Sequence, residues 1–179
     1  MLHPDLVVRK STISGKGLFA KRFIPKGTII WKLQGEKYKT YNQPQYKKLS
    51  NSYKKTLKKY AYQDNKGNII YVIGKAKFWN HSCDPNTVPI NENLSIDITV
   101  RDLKPNEEAT YDYGLIYSKK EKALRCRCGS KICRKIVRRL SNNSKARERL
   151  RKLAKEASKE YSQNRQHYFK TQKYIKAYR

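Results

Sequence analysis

Apolar positions in the first hundred residues come in short runs bounded by turn formers. Leu6-Val7-Val8 precedes the Gly15-Lys16-Gly17 turn, Leu18-Phe19-Ala20 follows it, and Pro25-Lys26-Gly27 introduces the β-rich run Thr28-Ile29-Ile30-Trp31. Asn65-Lys66-Gly67-Asn68 reads as a hairpin-type turn ahead of Ile69-Ile70-Tyr71-Val72-Ile73. Leu94, Ile96, Ile98 and Val100 alternate with Ser95, Asp97 and Thr99, which predicts a half-buried strand with its polar members outward. Thr110 to Tyr113 predicts another strand after the Lys104-Pro105-Asn106 turn. The polar, lysine-rich stretch from Tyr38 to Tyr60 has only weak helical spacing, at Tyr46, Leu49, Tyr53, Leu57 and Tyr60. The period changes in the tail. From Ser144, an N-cap residue type, Ala146, Leu150, Leu153, Ala154, Ala157 and Tyr161 fall on one face, predicting a basic amphipathic helix over 144–162. Tyr168-Phe169 and Tyr174-Ile175, interleaved with lysines, read either as a second helix or as a segment that orders on binding.

Composition narrows the classes. The 179 residues are 37% hydrophobic and 31% charged, enough for one domain with a core plus appendages. No apolar run approaches the roughly 20 residues that span a bilayer, and Met1 to Lys10 lacks the apolar core of a secretory signal. A membrane protein and a disulfide-stapled secreted domain are therefore disfavoured, and an intracellular location is expected. The net charge of +28 points to a polyanionic partner. Residues 119–179 hold +18 of it, while residues 84–112 form an acidic island: Asp84, Glu92, Asp97, Asp102, Glu107, Glu108 and Asp112 against only Arg101 and Lys104. A charge run of this kind reads first as a solvated surface, and secondly as a local groove for a basic peptide.

The cysteines carry the sharpest chemistry. Cys126, Cys128 and Cys133 form C-x-C-x4-C, and Cys83 stands well upstream. Three close thiols and one distant one can build a tetrahedral zinc site, and nearby Arg125, Arg127, Lys131 and Arg134 favour thiolates. Three clustered cysteines alone could instead be redox thiols, the lesser of the two readings.

Asn80-His81-Ser82-Cys83-Asp84-Pro85-Asn86 resembles the NHSCxPN motif of SET-domain protein lysine methyltransferases. Three further segments follow that family in order: Gly15-Lys16-Gly17-Leu18-Phe19-Ala20 with the Pro25–Gly27 turn, Lys104 to Gly114 (KPNEEATYDYG), and the post-SET cluster Cys126 to Cys133. The resemblance implies a mainly β fold with helices, small curved sheets and a knot-like crossing of the β-clip type. It divides the chain into a SET domain over 1–117 with an insert at about 37–62 and a zinc-binding post-SET segment over 118–139, and leaves a basic helical extension over 140–179 that has no counterpart in the family. It also implies an S-adenosylmethionine-dependent protein-lysine methyltransferase. Gly15, Lys16, Gly17, Leu18, Asn80, His81 and Tyr113 would contact the cofactor, the glycine turn letting backbone approach it closely. Cys83 would complete a zinc site with Cys126, Cys128 and Cys133.

By the same resemblance Tyr113 sits at the methyl-transfer centre. Tyr111, two residues earlier, is the position where Tyr accompanies monomethylation and Phe accompanies higher products. Two departures stand out. The strand after the Pro-x-Gly turn lacks the usual channel tyrosine and offers Lys32 or Leu33 instead, and the cluster ends Cys133-Arg134-Lys135 where relatives have Cys-Arg-Gly. The expected substrate is a lysine of a histone or nucleoid protein, in chromatin or a nucleoid, the protein itself being viral, bacterial or eukaryotic. The basic C-terminal third would hold DNA or a nucleosome. The competing reading is a catalytically silent SET-like module whose zinc is structural and whose tail binds nucleic acid.

Overall fold

The structure, a computed structural model, describes residues 1–64, 66–90, 94–117 and 123–163, with side chains up to 160. Strands β1 (Leu6–Lys10), β2 (Lys16–Ala20), β3 (Ile29–Lys32) and β4 (Tyr38–Tyr41) lead into helices α1 (Gln43–Lys48) and α2 (Asn51–Tyr60). Then come β5 (Tyr62–Gln63), β6 (Ile69–Val72), β7 (Asn80–His81), β8 (Thr87–Pro89), β9 (Ile96–Thr99) and β10 (Glu108–Tyr111). The chain closes with β11 (Leu124–Arg125), β12 (Ile136–Val137) and α3 (Lys145–Gln163).

Four small sheets result, in the orders β1-β2-β10-β7, β3-β9-β8, β4-β6-β5 and β11-β12. Pairing is antiparallel except for β7 against β10, which sets Asn80 beside Thr110 and His81 beside Tyr111. That parallel pair brings two of the sequence motifs together. It is braced by Asn86, 1% exposed, whose side chain donates to the Glu108 carbonyl at 2.8 Å and accepts from the Thr110 N–H at 2.7 Å.

The Tyr38–Tyr60 stretch is not one weak helix. Tyr38–Tyr41 pairs along its whole length with β6. The helices start only where Asn42 and Gln45 form a reciprocal capping box, and restart where Ser50 accepts the Tyr53 N–H. The β9 expectation also needs correcting. Asp97 and Thr99 are 4% and 0% exposed, as buried as Ile98 between them. As the central strand of its sheet β9 is covered on both faces, so the alternation does not separate core from solvent.

Two apolar clusters fix the relative positions of these parts. Leu6, Leu18, Ala20, Ile24, Ile30, Leu103 and Ala109 pack beneath β1, β2 and β10. Val88, Ile98, Val100 and Leu140 receive α3 through Leu150 and Ala157, with Ala146, Leu153 and Ala154 beside them. Ser144 caps α3 by accepting the Arg147 N–H at 3.3 Å. The helix is thus part of the folded domain, and its exposed face keeps Lys145, Arg149, Arg151, Lys152 and Lys155. Tyr161 and the aromatic segments beyond residue 163 lie outside the described side chains. No described helix is long and apolar enough to cross a membrane.

Candidate active site and zinc centre

The glycine turn is held from below by Asn80. Its amide nitrogen lies 3.1 Å from the Ser14 carbonyl, 3.0 Å from the Lys16 carbonyl and 2.7 Å from Glu108 Oε1. Glu108 Oε2 accepts the Ser11 hydroxyl at 2.8 Å, closing the other side of the loop. Gly15, at φ +49°, has open space where a side chain would project. Gly17 does not: a Cβ there would meet Glu108 Oε1 at 2.0 Å. Its smallness therefore makes room for the protein's own carboxylate. Leu18 is 0% exposed in the core, so its side chain faces away from any ligand. Lys16 is exposed, with its ammonium 5.6 Å above the Phe78 ring.

Tyr111 and Tyr113 stand at the end of β10 and line one cavity of about 750 Å³. The Tyr113 hydroxyl donates to the Trp79 carbonyl at 2.5 Å. Trp79 meets Trp31 edge to face at 6.5 Å and Tyr111 at 6.0 Å, making a continuous aromatic wall. Burial holds the hydroxyls of Tyr111, Tyr113 and Tyr62 well above the ordinary phenol range, so all three are neutral donors. The α2 end and β5 close the opposite side through Leu57, Tyr60 and Tyr62. Neither Lys32 nor Leu33 lines the cavity; Trp31 does, one residue earlier. Tyr62, the last residue of the insert, lines the cavity as well.

His81 works behind this wall. The Tyr113 N–H donates to His81 Nδ1 at 3.1 Å, and Nε2 lies 3.3 Å from Cys83 Sγ. This geometry assigns the ring proton to Nε2. Burial, aided by the Arg134 charge, lowers its pKa to about 4 against the pull of Asp112, keeping the imidazole neutral. His81 and Asn80 therefore position the Tyr113 turn and the glycine loop through their side chains.

Four sulfurs meet next to His81. Those of Cys83, Cys126, Cys128 and Cys133 all lie within 4.8 Å of one another, with Cys83 and Cys126 at 3.7 Å. A tetrahedral zinc with 2.3 Å bonds spaces its sulfurs by about 3.8 Å. Backbone N–H groups of Arg134, Cys128 and Lys135 point at Cys83, Cys126 and Cys133, at 3.3, 3.5 and 3.4 Å. Burial raises Cys83 and Cys126. For Cys128 burial acts the same way but is outweighed by hydrogen bonds with the Cys83 N–H and Ser130, which bring it to about 6. Four cysteine sulfurs this close could hold one cation as thiolates, and an all-sulfur set suits zinc. Lys135, where relatives have glycine, adopts φ +64° and still closes the loop, its carbonyl accepting the Cys126 N–H at 2.7 Å.

Arg134 couples this cluster to the tyrosines, a role the motifs did not reveal. Its guanidinium grips both oxygens of Asp112, at 2.7 and 2.6 Å, while Asp112 is 0% exposed and caps the turn through the Gly114 N–H. The acidic island is not a groove. Asp112 pairs with Arg134, Glu107 with Arg101 and Asp84 with Arg149, Glu108 holds the glycine loop, and Asp97 is buried. Glu92 lies outside the described residues.

Residues 15–114 match the family model of the SET domain. The chain is 32% identical over 145 residues to a variant-silencing SET domain-containing protein of Plasmodium falciparum, covering 72% of this chain and 5% of that protein. It is 28% identical over 139 residues to histone-lysine N-methyltransferase trr of Drosophila melanogaster, and 27% identical over 139 residues to human histone-lysine N-methyltransferase 2D. These cover 73% of this chain but only 6% and 2% of the relatives. The solved structure of KRYPTONITE in complex with mCHG DNA and SAH shares the fold, with a TM-score of 0.53, 22% identity, and coverage of 74% of this chain and 28% of that one. Motif order, sheet topology and these similarities agree: the chain belongs to the SET-domain family.

Proposed function

We propose that this protein transfers a methyl group from S-adenosylmethionine to a lysine side chain of a protein. The observation that carries the proposal is the shared aromatic cavity, in which Tyr111 and the anchored Tyr113 stand at the end of the strand beside the glycine turn. Bound S-adenosylmethionine supplies a methyl on a sulfonium, already a good leaving group, so the protein's contribution is orientation and exclusion of water. Tyr113 cannot swing, because its hydroxyl is tied to Trp79 and its backbone to His81. The aromatic wall keeps the site dry and favours the neutral amine over the ammonium. Gly15, Lys16 and the backbone of Gly17 and Leu18 would meet the cofactor, with Asn80 and His81 as positioning residues. The four cysteines would hold zinc structurally, tying the 126–133 loop against Tyr113.

Tyr111 supports a monomethylating bias, since its ring and hydroxyl occupy space that a methylated amine needs. The substrate class rests on the relatives, named as histone-lysine methyltransferases, and on the +28 charge, which suits a basic substrate already bound to DNA. A chromatin location accords with both. The test is mass spectrometry of the zinc-loaded chain with S-adenosylmethionine and either free histones or nucleosomes over a range of salt. We expect one methyl on lysine, a loss of roughly 100-fold in Tyr113→Phe, and second and third methyls in Tyr111→Phe. Transfer to nucleosomes should fall steeply with salt while transfer to free histones changes little. Absence of both transfer and cofactor binding would select the silent nucleic-acid-binding module instead.

A further inference from the structure

Three buried polar atoms have no hydrogen-bond partner among the described residues: Trp31 Nε1, Trp79 Nε1 and Asp97 Oδ1. All three residues line the cavity that holds Tyr111 and Tyr113. Trp31 and Asp97 are directly opposed across the β3–β9 ladder, which puts their Cβ atoms about 5 Å apart on one face. Trp31 in turn meets Trp79 edge to face. Asp97 is 4% exposed and is the one acidic side chain among the described residues lining the cavity. The lysines on that lining are Lys58, Lys59 and Lys77. Lys58 and Lys59 are exposed, the Lys59 ammonium rests over the Tyr60 ring, and that of Lys77 lies between the Tyr71 and Phe78 rings.

A lone carboxyl buried without a partner is expensive. Burial accordingly holds its pKa well above the ordinary carboxyl range, with no cation nearby to reverse the effect. Aromatic faces around a single carboxylate suit one chemical class, an alkylammonium, which gains cation–π attraction from the rings and a charge-assisted hydrogen bond from the acid. A divalent metal would need several oxygen ligands, and an anion would be repelled.

We propose that Asp97 is the acidic anchor of this cavity, releasing its proton to solvent as it takes up the head group of an entering alkylammonium. Identifying that ammonium as the target lysine rests on the methyltransferase reading above; the anchor itself does not. Passing one proton across the pair breaks an N–H bond and forms an O–H bond on Asp97. The result is a neutral amine beside a neutral acid, the protonation state that methyl transfer requires. Asp97 thereby becomes a specificity and positioning residue that the sheet places behind Tyr111.

The two tryptophans of the chain are Trp31 and Trp79, so intrinsic fluorescence reports on this cavity. The experiment titrates the zinc-loaded full chain with n-butylammonium and, separately, with 1-butanol as its uncharged counterpart. Wild type should bind the ammonium at least about tenfold more tightly, and Asp97→Asn should remove that preference. Equal affinities for the two probes in wild type would overturn the anchor without recourse to any variant, as would a preference retained by folded Asp97→Asn. In parallel, methylation of a lysine peptide should show a KM raised about tenfold in Asp97→Asn, and an unchanged KM would also count against the anchor. An Asp97-dependent preference in a protein that transfers no methyl would support the anchor while defeating the methyltransferase reading.

Discussion

At Asp97 a single carboxyl sets local stability against the cavity it lines. Burial raises its folded pKa above the unfolded value near about 3.9. The native state therefore keeps its proton to higher pH than the unfolded chain does. Between the two pKa values unfolding releases a proton, so stability falls as pH rises and is greatest, for this group, below the unfolded pKa. Asp97→Asn should be more stable than wild type at pH 8 by about 1–3 kcal/mol, with the gap closing toward pH 4. Urea melts at several pH values read this directly, and a gap of constant size would contradict it. Three neighbouring polar residues are buried with partners: Asp112 has Arg134, Asn86 has Thr110, and His81 has the Tyr113 N–H and Cys83.

Among the elements, α3 has the most consequence for how the chain is divided. Its apolar stripe is legible from spacing alone, because the 3.6-residue period and the Ser144 cap are local properties. What the stripe covers is not local: Leu150 and Ala157 close over Val88, Ile98 and Val100, strands that precede them by some fifty residues. Leu150, 3% exposed, should cost about 2–5 kcal/mol when replaced by Ala. Lys152→Ala, on the exposed face, should change stability by no more than about 0.5 kcal/mol. Thermal denaturation of the two variants separates a docked helix from a detachable tail. The strand β9 shows the opposite relation. Its alternating pattern predicts a polar outer face, but a central strand with packing on both sides leaves no outer face.

In the whole molecule, the cysteine cluster does what no single element can. Cys83 follows β7 and the other three cysteines lie between β11 and β12, so one ion would join the Asn80–His81 strand to the loop that carries Arg134. Arg134 reaches Asp112, and Asp112 holds the turn that bears Tyr113. Each link is short and charge-assisted or sulfur-centred, so loosening the cluster should loosen the tyrosine. Removal of metal with a strong chelator should release one zinc per chain and lower Tm by more than about 10 °C. Elemental analysis and calorimetry test both parts. A chelated protein with an unchanged melt would show that the loop is held without zinc.

The motifs, the cysteine quartet, the tyrosine pair and the tail helix could be read in the sequence, because each depends on residue type, short spacing or a known order of segments. Tertiary structure decided where each of these side chains is placed. It turned the side chains of Asn80 and His81 inward as braces, put Leu18 in the core, and gave Gly17 to Glu108. It also broke up the acidic island, pairing Asp112 with Arg134 from a segment twenty residues on and leaving Asp97 unpartnered opposite Trp31. Charge along a chain shows how many ions there are; cross-strand register and burial decide which of them meet, since electrostatic partners are chosen by distance in space. The insert shows the same limit. Its sequence is weakly patterned because it packs through scattered tyrosines, and only the closure of β4, β5 and β6 beside the core brings Tyr62 to the cavity where Tyr111 and Tyr113 stand.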